Sequence, residues 1–110
     1  MPSAKERIVS AVSEHVPCAH LCWPQANAPD LPWAVYLDEP SGKGADNVNW
    51  ATVHGWSVEL YEKYPSTELE DAVFDTLRGE YGYVEPPTTT WIDSEGCYCT
   101  LYRFSEIERT

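Results

Sequence analysis

The sequence predicts an α+β fold in a single domain spanning residues 1–110: a mainly antiparallel sheet of about four strands, with two helices packed on one face. Three observations lead there. Two stretches carry apolar residues at helical spacing, and several others alternate apolar and polar residues with a period of two. Their order is helix, strand, strand, helix, strand, strand, and successive strands joined by short turns pair antiparallel. A chain of 110 residues suits one domain with a modest core.

Residues 3–16 read as the first helix. Ile8, Val9, Val12 and Val16 form one apolar stripe, and Pro17 ends it. Residues 17–32, "PCAHLCWPQANAPDLP", hold four prolines and read as a rigid, irregular connector inside the domain. A short strand follows over Trp33–Glu39, with Trp33, Val35 and Leu37 on one face. "PSGKGADN" is a loop or hairpin tip. A long strand then runs from about Val48 to Tyr64, with a possible bend at Gly55. Within it Trp56, Val58 and Leu60 face one way and Ser57, Glu59 and Tyr61 the other. Pro65 and Ser66 break the strand. Thr67 and Glu70 have capping-box spacing, so a second helix is expected over 67–78, with Leu69, Ala72, Val73 and Leu77 inward and Gly79 just past its end. "YVEPPTTTWID" is a strand whose prolines argue for a sheet edge or bulge. "SEG" turns the chain into the last strand, "CYCTLYRFSEI", with Tyr98, Thr100, Tyr102 and Phe104 on one face.

The formal charge of −11 is uneven. Up to Ala45 there are five acids and three bases; beyond it there are thirteen acids and four bases. Such a surface repels phosphate backbones, and no Lys/Arg cluster is present to release counterions, so specific nucleic-acid binding is not expected. No apolar run is long enough to span a bilayer, and "MPSAKERIVSAVSEHV" lacks an apolar signal core, so a cytoplasmic chain is expected. In that compartment four cysteines are expected as thiols.

The chemical constellations are weak. Cys18, His20 and Cys22 sit close, and Cys97 with Cys99 could complete a zinc tetrahedron, but the spacings are not those of zinc knuckles. Cys97 and Cys99 point to one face of a strand and fit buried thiols as well. A Cys–His nucleophile pair drawn from Cys18 or Cys22 and His15, His20 or His54 has no local signature. Glu59 and Glu62, three apart on a strand, face opposite sides and do not form an acid–base pair. Glu68, Glu70 and Asp71 suit a helix N-terminus. "SGKGADNV" lacks phosphate-loop spacing. Trp33, Trp50, Trp56 and Trp91 admit two readings, core packing or a protein–protein surface. No catalytic set, cofactor or metal is expected; an assembly or binding module is.

In their order and spacing, "LPWAVYL", "GADNVNW", "WSVELYEKYPSTELEDAV" and "TWIDSEGCYCTLYRF" resemble a family of small tail-terminator or tail-completion proteins of long-tailed bacteriophages. The matching residues are Pro32 to Leu37, Ala45 to Asn47, Glu59 to Tyr61, Glu68 to Leu77 and Glu95 to Tyr102; the cysteines and the Pro-rich connector lie outside the pattern. The resemblance implies two helices against a sheet, and a homo-hexameric ring that caps the tail tube and joins it to the head–tail connector or stopper protein. It implies a place in the host cytoplasm during assembly and then in the virion. Subunit or tube contacts are expected at Trp33, Lys43, Asp46, Asn47, Trp50 and Tyr61. Glu59, Glu62, Glu68, Glu70 and Asp71 are expected to line an acidic lumen through which DNA slides by like-charge repulsion. The alternatives are a head-completion or stopper ring of the neck, and an acidic DNA mimic that inhibits a host nucleic-acid enzyme.

Overall fold

The computed structural model describes residues 4–20, 30–39 and 51–109. The "SGKGADN" tip, with Lys43, Asp46, Asn47 and the adjacent Trp50, lies outside the described residues, as does Cys22. Among the described residues the chain forms α1 (Ala4–Ser13), β1 (Cys18–His20), β2 (Trp33–Glu39), β3 (Ala51–Glu62), α2 (Thr67–Tyr81), β4 (Thr88–Ile92) and β5 (Cys97–Arg109). The α+β class is as expected, with five strands rather than four. The extra one is β1, inside the stretch expected to be irregular connector. It pairs in parallel with β2, Cys18 opposite Ala34 and His20 opposite Tyr36. The sheet order is β1-β2-β3-β5-β4, and every pairing after the first is antiparallel.

α1 ends at Ser13 for a covalent reason. Pro17 has no N–H to offer the Ser13 carbonyl, and its ring conflicts with that carbonyl. The chain closes with Val16 N–H donating to the Val12 carbonyl, and the Pro17 carbonyl accepts from Ala34 N–H as β1 enters the sheet. α2 begins at Thr67, as expected, but its N-cap is Ser66 rather than Thr67. Ser66 is the N-cap, its Oγ accepting from Leu69 N–H at 3.2 Å, and Glu70 reaches back to Ser66 N–H at 3.0 Å. The helix also runs past Gly79 to Tyr81. Gly82, at φ 85°, provides the left-handed turn that stops it, and its N–H donates to the Arg78 carbonyl. A mid-helix glycine costs about 1 kcal/mol. The last turn persists because Tyr81 packs on Phe104, with ring centroids 4.6 Å apart.

Both helices lie on one face of the sheet. The core unites Ile8, Val12 and Val16 with Val73 and Leu77, and these meet Ala34, Tyr36, Trp56, Val58, Leu60, Val84, Tyr102 and Phe104. On β2 the helix-facing residues are Ala34 and Tyr36; Trp33, Val35 and Leu37 take the opposite face, across from Tyr61, Glu59 and Ser57. The register carries that face on through Leu101, Cys99 and Cys97 of β5. Among the described residues no helix covers it, yet Val35 and Ser57 are each 2 % exposed. Burying a Leu or Val side chain contributes roughly 1.5–3 kcal/mol, so the helix-side cluster dominates the stability.

Candidate functional site

The sheet edge at β4 follows directly from the sequence. Pro86 and Pro87 hold the preceding segment to a single bridge, Val84 to Phe104, before regular pairing starts at Thr88. Thr88, Thr89, Thr90 and Trp91 are all exposed, and the strand carries no charge. Natural edges are usually blunted by charge, proline or a bulge within the strand. Here Trp91 stays 48 % exposed, its ring 4.8 Å from that of Tyr98 and its Nε1–H donating to Asp93 at 3.4 Å. Tyr83 and Tyr64 are exposed as well.

Of the residues expected at a subunit or tube interface, the structure describes Trp33 and Tyr61. They lie opposite each other on the open face, ring centroids 4.8 Å apart, both half-buried. Tyr61 donates its hydroxyl proton to Glu59 at 2.7 Å, and burial, with that bond, holds the phenol well above its ordinary range.

The five acids expected to line one lumen do not share a surface. Glu59 belongs to the open face. Glu68 and Asp71 are exposed on the first turns of α2, and Glu70 is half-buried beside them. Glu62 lies on the helix side and is only 2 % exposed. It contributes no surface charge, because the turn through Pro65 folds α2 back over the end of β3. Glu62 Oε2 and Glu70 Oε2 both accept from the Ser66 N–H, at 3.1 and 3.0 Å. Tyr102 anchors the same turn by donating its hydroxyl to the Glu70 backbone carbonyl at 2.8 Å. Burial, then the charges of Glu70, Glu62 and Asp71, keep that phenol protonated. Sequence reasoning placed Tyr102 on one face of the last strand with Tyr98, Thr100 and Phe104 but did not connect it to α2, since the contact spans 32 residues.

Among the described residues the cysteines and histidines do not converge. Cys18 packs against the helix-side core from β1, whereas Cys97 and Cys99 occupy the opposite face of β5. Two strands lie between β1 and β5, a separation of roughly 14 Å at normal strand spacing. Zinc–thiolate bonds of about 2.3 Å cannot bridge that gap. Among the described residues no three His, Cys, Asp or Glu side chains are placed to hold a metal ion. Burial pushes the Cys18 thiol up to about 12 and the Cys99 thiol to about 11, and both stay protonated and unreactive near neutral pH. His15 bonds the Thr76 hydroxyl at 2.7 Å, tying the end of α1 to α2, and His20 stacks near Tyr36 at 4.8 Å.

A groove of about 370 Å³ between the helices is lined by Glu6, Arg7, Glu14, Thr76 and Glu80. A second of about 340 Å³ lies beside Tyr83, Glu85 and Arg103. Both are partly open to solvent, and the first is lined almost wholly by charged and hydroxyl side chains rather than by the apolar walls of a typical small-molecule site. No helix among the described residues is long and apolar enough to cross a membrane. No protein-family model matches this chain, and no curated protein does.

Proposed function

We propose that this chain is a non-enzymatic virion protein of a long-tailed bacteriophage, a tail terminator. Six copies close into a ring that caps the tail tube and joins it to the head–tail connector or stopper protein. The observation that carries the reading is β4: an uncharged, exposed edge strand bearing Trp91, at the end of a sheet whose far face carries Trp33, Val35, Leu37 and Leu101 and is uncovered by any described helix. A closed ring needs heterologous contacts, in which one patch of each subunit meets a different patch of the next. An unprotected edge supplies backbone donors and acceptors for such a contact, and aromatic side chains concentrate in it. The Trp33–Tyr61 pair offers a second apolar patch on a different face.

On this reading the lumen charge comes from the α2 end, with Glu68 and Asp71 outermost, and Glu59 faces elsewhere. The chain acts in the host cytoplasm during assembly and stays in the virion at the tail–neck junction. The test is native mass and negative-stain imaging of the purified protein, alone and with tail tube protein. Six-fold rings, or tubes capped at a fixed length, are the expected result. A monomer that neither caps tubes nor limits their growth overturns the proposal, and co-purification with a host nuclease would point to a DNA mimic instead.

A further inference from the structure

Glu62 is the last residue of β3, and Glu70 lies in the first turns of α2. Between them the chain reverses through Lys63, Tyr64, Pro65 and Ser66. We infer that the Glu62 and Glu70 carboxyls hold one proton between them, and that this proton latches the start of α2 onto the end of β3, so that alkaline pH loosens the junction.

The argument begins with donors. Both carboxylates turn an oxygen to the same N–H, that of Ser66. The other oxygen of Glu62, Oε1, is buried and has no hydrogen-bond partner. An ionised carboxylate in that position lacks solvent, lacks a second donor and faces a like charge. Protonated, Glu62 becomes a donor and gives its hydrogen to the Glu70 carboxylate. The other groups facing the pair do not relieve it. From α2 these are Glu70 itself and Asp71; from β5 they are Tyr98, opposite Glu62 in the register, and the neutral Tyr102. On the turn, the Lys63 ammonium lies over the Tyr64 ring, 5.8 Å from its centroid. Burial, then the hydrogen bond and charge of Glu70, push the Glu62 carboxyl up to about 8, against the opposing pull of the Ser66 N–H.

The sign follows from proton linkage. An unfolded glutamate titrates near ~4.3, so between there and about 8 the folded chain binds more protons than the unfolded one. The stabilisation from this proton is complete below that window. It declines as pH rises through the window and is gone above it.

The first experiment is a carboxyl-carbon NMR titration of the wild-type protein, read with the denaturation midpoint and amide exchange between about pH 5 and pH 9.5. Glu62 is expected to titrate several units above an ordinary glutamate. The midpoint is expected to fall between about pH 5 and about pH 8 and then to level off, and exchange at the Leu69 amide to accelerate about tenfold over the same interval beyond the rise hydroxide catalysis produces. Glu62→Gln, a mimic of the protonated form, is expected to flatten the pH dependence. Glu70→Gln is expected to return Glu62 toward its ordinary range. Titration of wild-type Glu62 near ~4–5 overturns the inference, and so does a Glu62→Gln protein that keeps the full pH slope. If Glu62→Gln does not fold, the wild-type titration and Glu70→Gln decide.

Discussion

Glu59 and Glu62 stand three residues apart on β3 and project from opposite faces of one sheet. Glu59 has a partner on its own strand, the Tyr61 hydroxyl, and sits half-buried where no described helix lies above it. Glu62 has α2 folded over it, shares its one donor with Glu70 and is almost wholly shielded from water. The same side chain is a surface feature in one place and a strained interior group in the other. What separates them is which face the helices chose. That choice follows the apolar bulk of Trp56, Val58 and Leu60, and Glu62 is carried inward because it continues their alternation.

The contrast between the faces can be sharpened by substitution. The largest effect is expected from Leu60→Ala on the helix face, where the side chain is fully buried: a loss of about 3 kcal/mol in urea unfolding, from lost transfer energy and a residual cavity. Tyr61→Ala, one residue away on the open face, is expected to cost about 1–2 kcal/mol, since the ring is already partly exposed. An equal cost for the two would break the comparison and mean that the open face is covered. Tyr102→Phe leaves the ring in place and removes its donation to the Glu70 carbonyl, for a loss of about 1 kcal/mol measured the same way. Ser66→Ala removes the α2 N-cap and is expected to cost about 1 kcal/mol, with amide exchange rising first in the opening turn of that helix. The smallest effect on stability is expected at the edge. Trp91→Glu should stay within about 0.5 kcal/mol of wild type, yet abolish ring formation in native mass measurements.

Much of the framework was legible in the residues. The period-two run at Trp56–Leu60, the Ile8–Val12–Val16 stripe and the Val73–Leu77 pair each named the face that is buried. Pro17 set the end of α1, and the Pro86–Pro87 pair marked β4 as an edge or a bulge, of which the edge is the outcome, because a missing N–H removes a ladder bond in any context. The placement of Cys97 and Cys99 on one face of β5 was legible too. β1 was not, since three residues between a helix and a proline-rich stretch carry no periodicity, and their strand character comes from pairing with β2. The orientation of β2 was ambiguous for another reason: both of its faces are apolar, Trp33, Val35 and Leu37 on one and Ala34 and Tyr36 on the other.

The candidate site divides in the same way. That Glu68, Glu70 and Asp71 gather at a helix N-terminus is a matter of local spacing, and the sequence alone determined it, along with the fold class, the helix stripes and the acidity of the second half of the chain. Only the tertiary structure decided that Glu62 joins them from inside, that Glu59 is turned away, that Cys18 is held far from Cys97 and Cys99, and that Tyr102 reaches across to close the first turn of α2. Periodicity and proline chemistry act over a few residues and are written in the chain. Burial and shared donors depend on which distant segments meet, and that is settled when the helices dock on the sheet.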